Sequence, residues 1–80
     1  MDFPYIQQGN AALLLCDSKT GHVLKRNGKD LFLLGDSEPY IIEDSIDNAK
    51  NTANRLLLEN PDLEILVYDH AGSLIEVIKH

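Results

Sequence analysis

Two turns in this sequence contain the residue types used in nucleophilic catalysis. Asp17, Ser18 and His22 supply a carboxylate, a hydroxyl and an imidazole, which are the groups of a catalytic triad. The same types recur later in the chain in Asp69, His70 and Ser73. Each set lies in or beside one tight turn, where Asp and Ser normally bond nearby backbone, and no oxyanion hole is marked. We therefore expect no enzyme, and alanine at Ser18, His22, Asp69 or His70 should abolish no activity.

Metal and cofactor sites have no support in the sequence. His22, His70 and His80 lack metal-ligand spacing, and the single cysteine, Cys16, adds no second thiolate. No glycine-rich phosphate-binding motif is present. The sequence therefore predicts neither a bound metal nor a cofactor.

An acidic run without an intervening lysine or arginine precedes and begins the predicted helix. It comprises Asp36, Glu38, Glu43, Asp44 and Asp47. The regular ligand spacing of a calcium-binding loop is absent. The pattern is typical of a solvated loop leading into a helix start, where negative charge is favourable. The alternative is a docking surface for a basic protein partner.

Composition limits the classes of partner and compartment. The 80 residues carry a net charge of −6, which disfavours binding to nucleic acid or to an anionic membrane surface. No apolar run approaches the roughly 20 residues that span a bilayer, and residues 1–10 lack the pattern of a signal peptide. Cys16 ends the apolar run "AALLLC" and is expected to be a buried small hydrophobic residue. These features predict a cytoplasmic protein stabilised by packing alone.

The first half of the chain reads as a three-stranded meander. "AALLLC" (11–16) is apolar on both faces, which suits a central strand. The turn "DSKTG" leads to a second strand over 22–26. Asn27 and Gly28 then predict a two-residue type I′ hairpin, in which both residues need positive φ, before a third strand over 29–35.

The second half reads as a helix followed by a hairpin. "YIIE" (40–43) is either a short strand or an extended lead into the helix. Asp44 or Ser45 is a plausible N-cap, and Pro61 disfavours a helical Asn60. One apolar stripe runs along the helix through Ile46, Ala49, Ala53, Leu56 and Leu57. Strands over 63–69 and 74–79 flank the turn "HAGS".

These elements predict one α+β domain, with a mostly antiparallel sheet of about five strands (β-β-β-α-β-β) and one helix packed on one face. The expected parts are an N-terminal arm at 1–10, a meander at 11–34, a helix at 45–60 and a hairpin at 63–79.

Two family resemblances are limited to short or coarse features. The segment "LLLCDSKTGHVLKRN…LLG" resembles the opening of PAS sensory domains, but the rest of the chain is too short for that fold. The order of meander, helix and strand is similar to that of small acidic HicB-type antitoxins, whose family motif is not visible here. No family is assigned from the sequence.

Three apolar residues are expected at a contact surface. Leu58 lies off the apolar stripe of the helix, so it is either an ordinary exposed residue or a partner contact. The last strand, "LIEVIK", is apolar on both faces, with Leu74 and Ile78 on one face and Ile75 and Val77 on the other. Since a strand with one wet face normally alternates more cleanly, we expect a homodimer to cover Ile75 and Val77, with Leu58 joining if the helix lies nearby.

The sequence leaves three functional interpretations open. The first is a small non-enzymatic interaction or accessory protein, acting through protein–protein contacts. The second is an acidic inhibitor, antitoxin or immunity protein that covers a basic enzyme, as the net charge of −6 suggests. The third is a minimal ligand-binding sensory module with a pocket of ~300 Å³ or more between helix and sheet.

Overall fold

The computed structural model describes residues 3–33, 35 and 38–80. Its elements are strand β1 (Ala11–Asp17), strand β2 (Ile41–Glu43), helix α1 (Ile46–Glu59), strand β3 (Leu63–Tyr68) and strand β4 (Leu74–Lys79). They form one α+β domain, as the sequence predicted.

The four strands form one antiparallel sheet in the order β2-β1-β3-β4. β1 is an interior strand, as its apolar character on both faces predicted. Leu13 shows why, because it pairs with Val67 of β3 on one side and with Ile41 of β2 on the other, and is fully buried. For residues 40–43 the sequence allowed either a short strand or an extended lead into the helix. The structure shows a strand at Ile41–Glu43.

Helix α1 packs on one face of this sheet. Ser45 is its N-cap, since its hydroxyl accepts a hydrogen bond from the Asn48 amide at 3.0 Å. Ala49, Ala53 and Leu57 are the buried positions of the helix, so the predicted stripe does face the core. The small size of Ala49 and Ala53 suits close packing of the helix on the strands. The core between helix and sheet also contains Leu13, Leu15, Ile65 and Val67 from the sheet.

A second apolar cluster covers the opposite face of the sheet. Ala12, Leu14 and Cys16 of β1 point to this side, since strand residues alternate between faces. Ile6 of the N-terminal arm and Tyr40 complete its buried part, and Phe3 packs against them. The arm is therefore part of the core, a role that no local pattern in the sequence predicted.

The predicted meander does not form, so the sheet has four strands rather than five. Residues 22–26 and 29–35 were expected to be strands, but the described part of this segment makes only isolated bridges, Cys16 to Val23 and Leu24 to Leu31. The reason lies in β1. β3 takes one edge of β1 along most of its length, and β2 takes residues Ala11 to Leu13 of the other edge. Only the last residues of β1 remain for the segment after the turn.

The predicted type I′ turn at Asn27–Gly28 is also wrong. Gly28 has a φ of 71°, but no described non-glycine residue has positive φ, so Asn27 does not meet the type I′ requirement. The connection is wider. The Gly28 amide donates to the Lys25 carbonyl at 2.9 Å, and the Lys25 amide donates to the Asp30 carbonyl at 2.8 Å.

Candidate functional site

The Asp17 turn uses its polar groups to hold its own backbone. The Asp17 carboxylate accepts the Lys19 amide at 2.8 Å, and the Gly21 amide donates to the Asp17 carbonyl at 2.7 Å. The Ser18 amide donates to the Asp62 carbonyl at 2.9 Å, which ties the turn to the start of β3. The arrangement is that of a turn closed by Asp, and the Asp17 carboxylate is engaged in the turn itself.

The Asp69 turn repeats this geometry between β3 and β4. One carboxylate oxygen of Asp69 accepts the amides of Ala71 and Ser73, each at 2.9 Å. The Asp69 amide donates to the Ser73 carbonyl at 3.0 Å, and His70 is exposed. Here too the carboxylate is engaged by the turn that it closes.

The acidic residues divide between those whose carboxylate accepts a hydrogen bond from a helix side chain and those that face solvent. The Glu43 carboxylate accepts the Thr52 hydroxyl at 2.8 Å, which joins β2 to α1. Asp44 accepts the side-chain amide of Asn48, and Asp47 is exposed in the first helical turn. Glu38 is exposed, whereas Asp36 lies outside the described residues. The structure thus gives Glu43 and Asp44 local partners and leaves Glu38 and Asp47 facing solvent.

Strand β4 is an edge of the sheet and carries exposed apolar side chains. Val77 pairs with Leu66, which belongs to the face opposite the helix, so Val77 points away from α1. Val77 and Ile75 are each 40% exposed. Leu74 is 53% exposed, and a register irregularity at Val67–Tyr68 pairs it with Tyr68. We call Leu74, Ile75 and Val77 the β4 patch.

The irregularity corrects one sequence-based assignment. Strict alternation placed Leu74 on the face of Ile78, but Ile78 packs towards the helix and Leu74 shares the face of Tyr68. Ile75 is the extra residue, with no partner in β3. A bulge breaks the two-residue period of a strand, which alternation alone cannot reveal.

Leu58 lies on the helix, away from the β4 patch. It is 87% exposed, which agrees with its position off the apolar stripe. Because α1 covers one face of the sheet and Val77 points from the other, the two cannot share one flat surface. α1 does lie near β4, since Lys50 pairs with Glu76 at 3.2 Å, but the helix and Val77 are on opposite sides of the sheet. A role for Leu58 in a contact surface therefore stays a prediction.

A small depression lies between the end of the helix and the turn containing Gly28. Its volume is about 70 Å³, and Gly28, Leu56, Asn60 and Leu63 are among its lining residues. That volume is far below the several hundred Å³ typical of a site for a small organic molecule. The third interpretation, a ligand-binding sensory module, finds no support in this depression.

Burial changes the acidity of three groups beneath the N-terminal arm. Burial raises the pKa of the Cys16 thiol above its ordinary value of 9.0, and the nearby Glu64 raises it further. Burial likewise raises the pKa values of the Tyr40 and Tyr68 phenols above 10.0. The rings of Tyr40 and Tyr68 meet Phe3 edge to face, with centroid distances of 5.2 Å and 5.5 Å. These groups therefore stay protonated near neutral pH and behave as core residues.

Among residues 3–33, 35 and 38–80, no group of three His, Cys, Asp or Glu side chains is arranged to hold a metal ion. The same part of the chain contains no helix of the length and apolarity needed to cross a bilayer. No protein-family model, curated protein or solved structure matches this chain.

Proposed function

We propose that this protein is a small non-enzymatic interaction protein that self-associates as a homodimer through the β4 patch. The observation that carries the proposal is the position of Leu74, Ile75 and Val77, which lie together and exposed on an edge strand. Single exposed apolar residues are ordinary. Three exposed apolar residues within four positions of an edge strand form an apolar patch whose exposure to water is unfavourable.

A second copy is the simplest occupant of this surface. Two-fold contacts are by far the commonest in soluble oligomers, and they require one self-complementary patch rather than two. Covering the patch would remove apolar area from water at a gain of about 25 cal/mol per Å². Charges lie at one end of the patch, because Lys79 and Glu64 are paired positions at the end of the same two strands. An apolar centre with charged residues at its margin is typical of a protein interface.

The non-enzymatic part of the proposal is supported by the two Asp turns. The Asp17 and Asp69 carboxylates are occupied by backbone amides of their own turns. We also place the protein in the cytoplasm, since its one cysteine is unpaired and buried and its stability does not depend on a disulfide.

A second candidate, an acidic inhibitor of a basic enzyme, is favoured by the net charge of −6 and by exposed Glu38 and Asp47. It predicts recovery of one strongly basic protein with the chain from its native host. Charge reversal at Asp47 should weaken that recovery, whereas the β4 patch should not matter. The two proposals thus involve different surfaces.

Amide hydrogen exchange at low and high protein concentration tests the homodimer. We expect concentration-dependent protection in residues 74–79, and none in the part of α1 that bears Leu58. Protection that appears only around the start of the helix, or exchange that is independent of concentration throughout, would contradict the proposed surface.

A further inference from the structure

We propose that Asn27 is a spontaneous deamidation site whose reaction is restrained by the folded turn at residues 25–30. The chemistry is intrinsic to the dipeptide. The Gly28 backbone nitrogen attacks the side-chain carbonyl carbon of Asn27, a carbon–nitrogen bond forms, and ammonia leaves with the amide proton. Water then opens the cyclic imide at either carbonyl, which gives aspartate or isoaspartate at position 27.

Asn27 is the residue of this chain in which that reaction is chemically easiest. It is the one asparagine followed by glycine, whose missing Cβ leaves the attacking nitrogen unhindered and the backbone free to reach the required geometry. The other asparagines precede larger residues, and Asn60 precedes Pro61, which has no backbone N–H. The chain therefore carries its own internal controls.

The folded turn restrains both reacting groups. The side-chain carbonyl oxygen of Asn27 (Oδ1) accepts the backbone amides of Lys29 and Asp30 at 2.9 and 3.1 Å, and the side-chain nitrogen (Nδ2) donates to the Asp30 carboxylate at 2.9 Å. The nucleophile is held as well, since the Gly28 amide donates to the Lys25 carbonyl at 2.9 Å. The attack requires Asn27 to rotate out of three hydrogen bonds and Gly28 to leave a fourth. Reaction therefore proceeds through an opened turn.

Neither product restores the whole turn. Aspartate at position 27 keeps an oxygen that can accept the Lys29 and Asp30 amides, as the Asp17 carboxylate accepts the Lys19 amide, but it has no N–H to donate, and its carboxylate would face that of Asp30, which repels it. Isoaspartate also lengthens the backbone next to Gly28, which is buried against Leu15 and Leu63 and whose carbonyl accepts the Asn60 side chain at 3.4 Å. The isoaspartate product thus converts a transient opening of the turn into a permanent loss of contact between this turn and the end of the helix.

The test compares deamidation rates by peptide mass spectrometry in folded wild type, urea-unfolded wild type and two variants. We expect Asn27 to react about tenfold more slowly in the folded chain than in the unfolded one, because only the opened fraction reacts. Asp30→Ala, which removes the partner of the Asn27 side-chain nitrogen, should accelerate the folded reaction several-fold. Asn60 should remain unmodified throughout.

Val67→Ala supplies the matched control, because it destabilises the core in β3 without touching the turn. Acceleration by Asp30→Ala that clearly exceeds acceleration by Val67→Ala supports local gating. Equal acceleration would show that global unfolding admits the reaction, and equal rates in folded and unfolded wild type would show that the turn gives no protection. Either result overturns the proposal.

Discussion

At the scale of single residues, the hydrogen bonds of polar side chains could be predicted from neighbouring residues in the sequence, whereas the contacts between aromatic rings could not. Asp17 and Asp69 close their own turns, and Ser45 caps the helix, as short-range hydrogen-bonding preferences predicted. The contact of Phe3 with Tyr40 and Tyr68 joins residues far apart in the chain. No local sequence pattern predicts such a contact, so the burial of the N-terminal arm in the core could not be predicted.

Removing the Phe3 ring should loosen the apolar cluster to which Cys16 also belongs. Phe3→Ala is expected to destabilise the protein by about 1–3 kcal/mol and to accelerate labelling of Cys16 by a thiol reagent in the folded state. Tyr5→Ala is the control on the same arm, because Tyr5 is 94% exposed. Stopped-flow or mass-spectrometric labelling measures the rate. Equal labelling of both variants, under conditions where circular dichroism shows both folded, would show that the arm does not shield the thiol.

Stability should fall at alkaline pH because of the same cluster. The folded state raises the pKa values of Cys16, Tyr40 and Tyr68, so the unfolded chain loses these protons first. Their contribution to stability is complete below the ordinary thiol pKa of 9.0, and it is lost as pH rises through the raised values of the folded state.

Urea unfolding across this pH range measures the effect. Tyr40→Phe and Tyr68→Phe remove the ionisable phenols and should flatten the alkaline decline, whereas Tyr5→Phe should leave it as in wild type. An identical decline in all three variants would place its origin elsewhere.

At the scale of elements, long apolar patterns were reliable and pairing partners were not. The helix was expected over 45–60 and is observed over Ile46–Glu59, because the stripe and its flanking cap and proline are all local signals. The meander was wrong because it assumed that sequential strands pair along their whole length. In the structure β2, which follows the predicted meander in the chain, occupies the first three residues of this edge of β1, Ala11 to Leu13. That competition is a tertiary effect.

The helix cap gives a prediction at this scale. Ser45→Ala should cost about 1 kcal/mol, since the Asn48 amide would lose its hydroxyl partner. Ser18→Ala is the matched control, because Ser18 is exposed and contributes its backbone amide to the fold. Chemical denaturation with circular dichroism measures both. A cost for Ser18→Ala as large as that for Ser45→Ala would argue against a specific capping effect.

At the scale of the whole molecule, the sheet has two unequally covered faces. Helix α1 covers one face, while the N-terminal arm and Tyr40 cover the other around β1. The arm does not bury the β4 patch, where Leu74, Ile75 and Val77 are 40–53% exposed. The sequence indicated this surface through the unusually apolar last strand, although it did not reveal the bulge that places Leu74 there. The proposed homodimer follows from this uneven cover.

Multi-angle light scattering of the wild type, an Ile75→Lys/Val77→Lys double variant and a Leu58→Lys control tests that proposal most directly. We predict the mass of two chains for the wild type at high micromolar concentration, and for Leu58→Lys, which alters an exposed residue away from the patch. The double variant should be folded and have the mass of one chain. A wild-type mass of one chain would contradict the homodimer, and a dimer that persists in the folded double variant would contradict the choice of surface.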